Sequence, residues 1–176
     1  MKHEKTYDII VCGGGHAGVE AALIASKLKC SVLLITLDSR AIGRMSCNPA
    51  IGGLAKGQIV REIDVLGGIM GLAADSSGLQ FKILNQSKGK SVWSPRAQVD
   101  KRHYESFVSR SVLRNNKIEI IQGEVVSLIT NSVGAGGVVL RGGLHLYGRS
   151  VVLTCGTFLN GLLHIGQKKI RAGRMG

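Results

Sequence analysis

Apolar positions along the chain switch between two periods, and the switches mark out its elements. The run Tyr7-Asp8-Ile9-Ile10-Val11-Cys12 is β-like. After a glycine cluster, Val19, Ala22 and Leu23, with the small Ser26, recur at helical spacing. A second β-like run, Ser31 to Thr36, closes a βαβ unit from Tyr7 to Leu37, about thirty residues and the size expected of a dinucleotide-binding unit. A polar, glycine-rich segment from Asp38 to Gly57 follows. The spacing then predicts a helix from Lys56-Gly57-Gln58 with Ile59, Ile63 and Leu66 on one face, broken by Gly67-Gly68. A short helix is predicted over Ile69 to Ala74. A strand is predicted at Leu79 to Leu84, within an otherwise irregular stretch from Asp75 to Gln98. Asp100 to Asn115 predicts a clear helix, capped by Asp100 or a nearby polar residue and ended by Asn115-Asn116. Strands are predicted at 118–121, 125–129, 137–141 and 144–147, with a turn-rich break at 131–137. The last strand, Ser150 to Thr154, is purely apolar at Val151-Val152-Leu153, as in the centre of a sheet. Gly166 to Gly176 is basic and glycine-rich and is expected to close no structural unit.

The pattern describes an α/β chain of 176 residues, about the length of one domain. No apolar run approaches the eighteen or so residues of a membrane span. Met1-Lys2-His3-Glu4-Lys5 leads straight into the first strand, with no room for a signal peptide, so the expected location is cytoplasmic. Cys12, Cys30, Cys47 and Cys155 form no C-x-x-C pair and no zinc spacing, so neither a metal site nor a disulfide framework is expected. Cys12 and Cys155 are expected to be buried at strand ends, and Cys30 at a loop or strand edge.

The net charge of +12 is unevenly spread. From Lys82 to Lys117 there are nine basic residues against Asp100 and Glu105, and from Lys168 to Arg174 four basic residues and no acid. Such an excess suits a polyanion, above all nucleic acid, or a solvated basic face. The scarcity of aromatics argues against a base-stacking sheet.

The glycine cluster carries the clearest chemistry. Gly13, Gly15 and Gly18 form G-x-G-x-x-G between strand and helix. Gly13 permits the tight turn, Gly15 lets a pyrophosphate approach the backbone, and Gly18 lets the helix pack against the sheet. The helix start then offers free N–H groups to phosphate. A ligand-free strand–turn–helix needs far less glycine. The acidic residue usual at the end of the second strand is missing: Thr36 stands there, with Asp38 two residues on. NAD and FAD therefore stay undecided on this unit alone. A buried strand ending in Thr154-Cys155-Gly156-Thr157 marks a second place for a ligand, with Gly156 allowing close approach.

Met45-Ser46-Cys47-Asn48-Pro49-Ala50-Ile51-Gly52-Gly53 occupies the long connection after the second strand. Cys47 there reads either as a small core residue or as a nucleophile whose thiolate Arg44 and Lys56 favour. No His–Asp pair accompanies it, so protease-like chemistry is not supported.

With these residues in view, the chain resembles the N-terminal part of the GidA (MnmG) family of tRNA uridine-modifying flavoproteins. The resemblance rests on GGGHAG at Gly13 to Gly18 followed by Val19-Glu20-Ala21-Ala22, on MSCNPAIGG at Met45 to Gly53 with Lys56-Gly57, and on Arg61 to Gly68. Ile83-Leu84-Asn85, Lys88-Gly89, Arg96-Ala97-Gln98 and Thr154 to Leu159 extend it over nearly the whole chain. It implies a Rossmann-like FAD-binding domain of the two-dinucleotide-binding flavoprotein type, with a β-rich insertion. Residues 1–176 would be that domain, as a fragment of a longer protein whose nicotinamide and C-terminal helical domains lie elsewhere.

The resemblance implies FAD held at Gly13, Gly14, Gly15, His16, Ala17 and Gly18, with Val125 on the adenine side and Gly156 near the flavin. Cys47 would be catalytic, attacking the uridine ring to activate C5. NADH would be the reductant and methylenetetrahydrofolate the one-carbon donor. The implied partners are tRNA and the GTPase MnmE in a heterotetramer, with the full-length protein a homodimer. Lys56, Lys88, Arg96 and Arg102 are candidate phosphate contacts on charge and position. The competing readings are a small-molecule FAD or NAD oxidoreductase, which leaves the basic excess and MSCNPAIGG unexplained, and a non-catalytic RNA-binding remnant.

Overall fold

The computed structural model describes residues 2–45, 48–132 and 134–172, with side chains from residue 5 onward. Its centre is a six-stranded sheet of β1 (Lys2–Cys12), β2 (Val32–Thr36), β6 (Ile118–Gln122), β7 (Val125–Asn131), β8 (Gly134–Leu140) and β9 (His145–Leu153). The spatial order is β6-β2-β1-β9-β8-β7. The first four strands run parallel, and β8 and β7 add an antiparallel margin. Helix α1 (His16–Lys27) joins β1 to β2 and completes the expected βαβ unit.

The strands read as continuous apolar runs because both faces of the sheet are covered. Val11, Val32 and Leu34 point to a core shared with Val19 and Ala22 of α1 and with Tyr104, Val108 and Val112 of α4 (Lys101–Leu113). Their neighbours Ile10, Cys12, Leu33 and Ile35 point to the opposite core, with Tyr7, Val138, Leu140 and Leu146. The expected Asp100 cap is present: its carboxylate accepts from the His103 N–H at 2.8 Å.

Between β2 and α4 the chain builds a second layer. It comprises β3 (Ala50–Gly52), α2 (Lys56–Val65), α3 (Met70–Ser77), β4 (Gly78–Leu84) and β5 (Ser94–Val99), with the strands in a small antiparallel sheet ordered β3-β5-β4. The sequence pattern predicts α2, α3 and β4 but not β3 or β5, which lie in glycine- and proline-containing stretches without alternation. The inward face of α2 also differs from expectation. Gly57 and Val60 are buried, whereas Ile59 and Leu66 are exposed. The reason is Gly57, where a Cβ would lie 2.9 Å from the Pro95 carbonyl oxygen, so that the helix meets β5 on its glycine side.

Two further expectations are corrected at the C-terminal side. The strands predicted at 144–147 and 150–154 are one strand, β9. Gly148 lies within it, where a Cβ would stand 2.7 Å from Ile10, so that glycine serves close packing on β1 rather than a turn. The tail expected to close no unit folds as a hairpin of β10 (Leu162–Ile165) and β11 (Lys168–Arg171). Its two-residue turn is enabled by Gly166 at φ +58°.

Glu20 of α1 clamps the two layers. Its carboxylate accepts from the Ile69 N–H (3.0 and 3.1 Å) and the Met70 N–H (2.7 Å) at the start of α3. No side chain of α3's own cap does this work. Glu20→Ala leaves those donors unpaired and is expected to cost about 1–3 kcal/mol. For a domain of this size that is a fall in thermal midpoint of roughly 2–12 °C, which a melting curve reads directly. Glu20→Gln, which keeps an acceptor oxygen, is expected to lose less.

Candidate dinucleotide site at the strand ends

Parallel pairing of β1 with β2 and β9 brings three carboxyl ends to one edge of the sheet, the place where open α/β sheets bind ligands. The glycine loop occupies this edge. Gly13 has φ +119°, and its N–H donates to the Ile35 carbonyl at 2.8 Å. A Cβ at Gly13 would strike the Thr154 carbonyl oxygen. A Cβ at Gly18 would overlap the Gly13 carbonyl oxygen and approach Thr154 Oγ1 at 2.7 Å. Gly14 is pressed against Thr36, and the Gly43 N–H donates to its carbonyl at 2.9 Å. Gly15 differs from all of these: a Cβ there would meet nothing within 4 Å. The backbone is thus packed tightly at Gly13, Gly14 and Gly18 and left open at Gly15. No side chain caps α1, and its first turn carries no acid. The N–H groups of that turn are therefore available to an anion, so the residues fit a dinucleotide pyrophosphate.

Thr154, beside the loop on β9's extension, binds it to the neighbouring strand. Its hydroxyl donates to the Cys12 and Gly13 carbonyls at 2.9 and 3.1 Å. Sequence reasoning singled out this turn for Gly156, which has φ +70° and open space around it. It did not find the Thr154 hydroxyl, for which no spacing rule exists. Cys12 is buried as expected, and burial pushes its thiol up to about 11, so it stays protonated. Cys155, expected to be buried, is exposed because β9 ends at Leu153 and the turn runs past the sheet edge. Among the described residues no cluster suits a metal ion.

His16 opens α1 with Ala17 exposed beside it, and its ring turns inward rather than toward the open side of the loop. The ring lies 5.6 Å from that of Tyr104, and Nε2 is buried without a hydrogen-bond partner. What His16 offers an anion is its backbone. Burial, followed by the charge of Lys56, lowers its pKa to about 4. The sign follows. In the unfolded chain the imidazole takes up a proton below about 6.5, whereas in the fold it resists until about 4. Stability is therefore lost as pH falls from about 6.5 to 4, by roughly 3 kcal/mol. His16→Gln is expected to flatten that part of the stability–pH curve, as followed by urea unfolding at pH 7 and 4.5.

The candidate residues at the end of β2 have local partners. Thr36 is buried and its hydroxyl donates to the Asp38 carbonyl at 3.3 Å. Asp38 Oδ1 accepts from the Arg40 N–H and Nε, which hold the carboxyl below its usual range. The Gly123 N–H donates to the Thr36 carbonyl at 2.9 Å. That bond lies two residues before Val125, which is half-buried at the start of β7 against the second core.

Cys47 lies outside the described residues. Its flanks are anchored on both sides. The Met45 N–H donates to Glu105 Oε1 of α4 at 2.9 Å, and the Pro49 carbonyl accepts from the Val99 N–H at 2.9 Å. Tyr104 and Glu105 were not singled out by sequence reasoning. Tyr104, Val108 and Val112 do show the i, i+4, i+8 spacing of a buried face, but spacing cannot name the partner. Of the four candidate phosphate contacts, Lys56 is the one whose charge reaches His16. Arg96 is half-buried and lines a cleft between α2, α3 and the small sheet, with Arg61, Lys82 and Asp64. Lys88 and Arg102 are exposed, in a short turn and in the first turn of α4.

A family model described as "Glucose inhibited division protein A" matches residues 8–176. The tRNA uridine 5-carboxymethylaminomethyl modification enzyme MnmG of Sulfurihydrogenibium is 48% identical over 99% of the chain, and its Chlorobium phaeobacteroides counterpart is 52% identical over 96%. The structure of Aquifex aeolicus GidA superimposes with a TM-score of 0.90 at 48% identity over 97% of the chain. The chain spans 27–28% of the length of these proteins.

Proposed function

The chain belongs to the glucose-inhibited division protein A family, and from that premise we propose that it is the FAD-binding N-terminal part of a longer enzyme that modifies the wobble uridine of tRNA at C5. The observation that carries this reading is the 48% identity, over 99% of the chain, to a protein named for tRNA uridine modification. The same identity disfavours a small-molecule oxidoreductase.

Residues 1–176 are read as one FAD-binding domain. The N–H groups at the start of α1 hold the FAD pyrophosphate, with Gly15 giving it access and Gly13, Gly14 and Gly18 fixing the loop. His16 and Ala17 contribute their backbone. Val125 takes the adenine side and Gly156 lies toward the ring system. Flavin supplies two-electron redox chemistry.

Cys47 is proposed as the nucleophile, with Glu105 positioning its segment through the Met45 N–H. NADH as reductant, methylenetetrahydrofolate as one-carbon donor, MnmE as GTPase partner and a homodimeric state of the whole protein belong to the same proposal. So does a cytoplasmic location. Among the described residues no helix is long and apolar enough to cross a membrane.

The test is nucleoside mass spectrometry of tRNA from cells lacking the full-length gene. Loss of the C5 aminomethyl-type group from wobble uridine is expected, and an unchanged nucleoside profile would contradict the proposal.

A further inference from the structure

The cleft between the Phe158–Leu162 turn and the hairpin strand β11 is part of no site described above. It is lined by Phe158, Asn160, Gly161, Leu162, Arg171 and Ala172 and encloses about 450 Å³. We propose that this cleft receives an unstacked nucleobase of RNA, with Phe158 as the stacking face and Arg171 and Asn160 as the polar contacts. The proposal rests on the tRNA reading above and adds to it a place on this chain for a base.

Four independent features converge there. The first is chemistry. One aromatic ring, one guanidinium and one amide are the groups that proteins use for splayed bases, the ring through its π-face and the others through base edges. The second is construction. The Gly161 N–H donates to the Phe158 carbonyl at 3.0 Å, and the Ala172 N–H donates to the Gly161 carbonyl at 3.0 Å, so the hairpin is closed onto the turn. Asn160 is held at φ +54°, a left-handed conformation that asparagine adopts readily in tight turns.

The third feature is charge. No Asp or Glu occurs after Glu124, while Arg141, Arg149, Lys168, Lys169 and Arg171 do. Pairing of Leu162 with Arg171 and of His164 with Lys169 puts three polar or basic side chains, His164, Lys169 and Arg171, beside Leu162 on one face of the hairpin. A phosphate backbone would meet that face without a like charge. The fourth feature is position. Phe158 follows Thr154, whose hydroxyl is bonded to the glycine loop, by four residues. The turn that lines the cleft is therefore continuous in the chain with the strand end that borders the glycine loop. A base that is to be modified must leave its stack, and a stacking residue four positions after Thr154 serves that step.

The test uses the full-length, flavin-loaded protein and two probes, a short anticodon stem-loop RNA with 5-fluorouridine at the wobble position and a blunt RNA duplex of the same length. Phe158→Ala and Arg171→Gln are expected to weaken stem-loop binding about tenfold and to leave duplex binding within about twofold. The fluorine resonance, shifted on binding to the unsubstituted protein, is expected to return toward its free position in both variants. Phe158→Tyr, which keeps the stacking face, is expected to bind like the unsubstituted protein. Unsubstituted protein that binds the stem-loop, with variants of equal affinity and fluorine shift, would overturn the cleft assignment and leave the tRNA reading intact. Failure of the unsubstituted protein to bind either RNA would overturn both. Equal weakening toward stem-loop and duplex would show a backbone contact only, and would also overturn the proposal.

Discussion

Gly15→Ala and Gly18→Ala are expected to separate binding from folding. At Gly15 an added methyl meets nothing within 4 Å, and the backbone angles, φ −74° and ψ −174°, suit any residue. The apo fold should therefore keep its thermal midpoint, with a change within about 0.5 kcal/mol. The methyl does occupy the approach to the α1 N-terminus. Loss of two charge-assisted backbone hydrogen bonds to the pyrophosphate corresponds to roughly 100-fold weaker FAD binding. Gly18→Ala behaves in the opposite way. Its methyl overlaps the Gly13 carbonyl oxygen and crowds Thr154 Oγ1, neither of which has room to retreat. Overpacking of this kind costs about 3 kcal/mol or more, a fall in midpoint of roughly 6–12 °C. A melting curve and an FAD titration on each variant check both statements. Equal melting losses in the two would mean that Gly15 is a structural glycine like its neighbours.

Cys47→Ser carries the largest expected effect on activity. Serine has nearly the size of cysteine but a hydroxyl that stays protonated at neutral pH without a base, whereas a thiol near basic residues supplies a thiolate. Turnover of wobble uridine by the full-length enzyme is expected to fall at least on the order of 100-fold, with flavin content and melting unchanged. Glu105→Gln provides the companion measurement. It retains an acceptor for the Met45 N–H but removes the charge, so a smaller fall in turnover is expected, again with flavin content unchanged. Normal modification by Cys47→Ser would remove this residue from the chemistry.

The βαβ unit was fully legible because its signal is local. An apolar run, clustered glycine and a helical stripe each declare themselves within a dozen residues, and β1, α1 and β2 formed where expected, except that β1 begins at Lys2 rather than Tyr7. Helix α4 was equally plain, since Asp100 caps it and Tyr104, Val108 and Val112 mark its inward face. What the sequence hid depends on contacts between distant residues. Strands β3 and β5 exist because they pair with one another and β5 with β4, not because they alternate. Ile59 has the spacing of a core residue, yet the close meeting of Gly57 with Pro95 turns α2 by a different face. The strands expected at 144–147 and 150–154 are continuous through Gly148, where the absent side chain admits Ile10. In the site, the glycines were legible as a motif. Their division into three packed positions and one open one required the positions of Thr36 and Thr154, the latter more than a hundred residues away in sequence.

The most direct test of the central claim is calorimetric titration of the 176-residue chain with FAD and, separately, with NAD, alongside the Gly15→Glu variant. Saturable binding of FAD that is abolished by Gly15→Glu is expected, with no comparable binding of NAD. Binding of NAD without FAD, or FAD binding that survives Gly15→Glu, would contradict it.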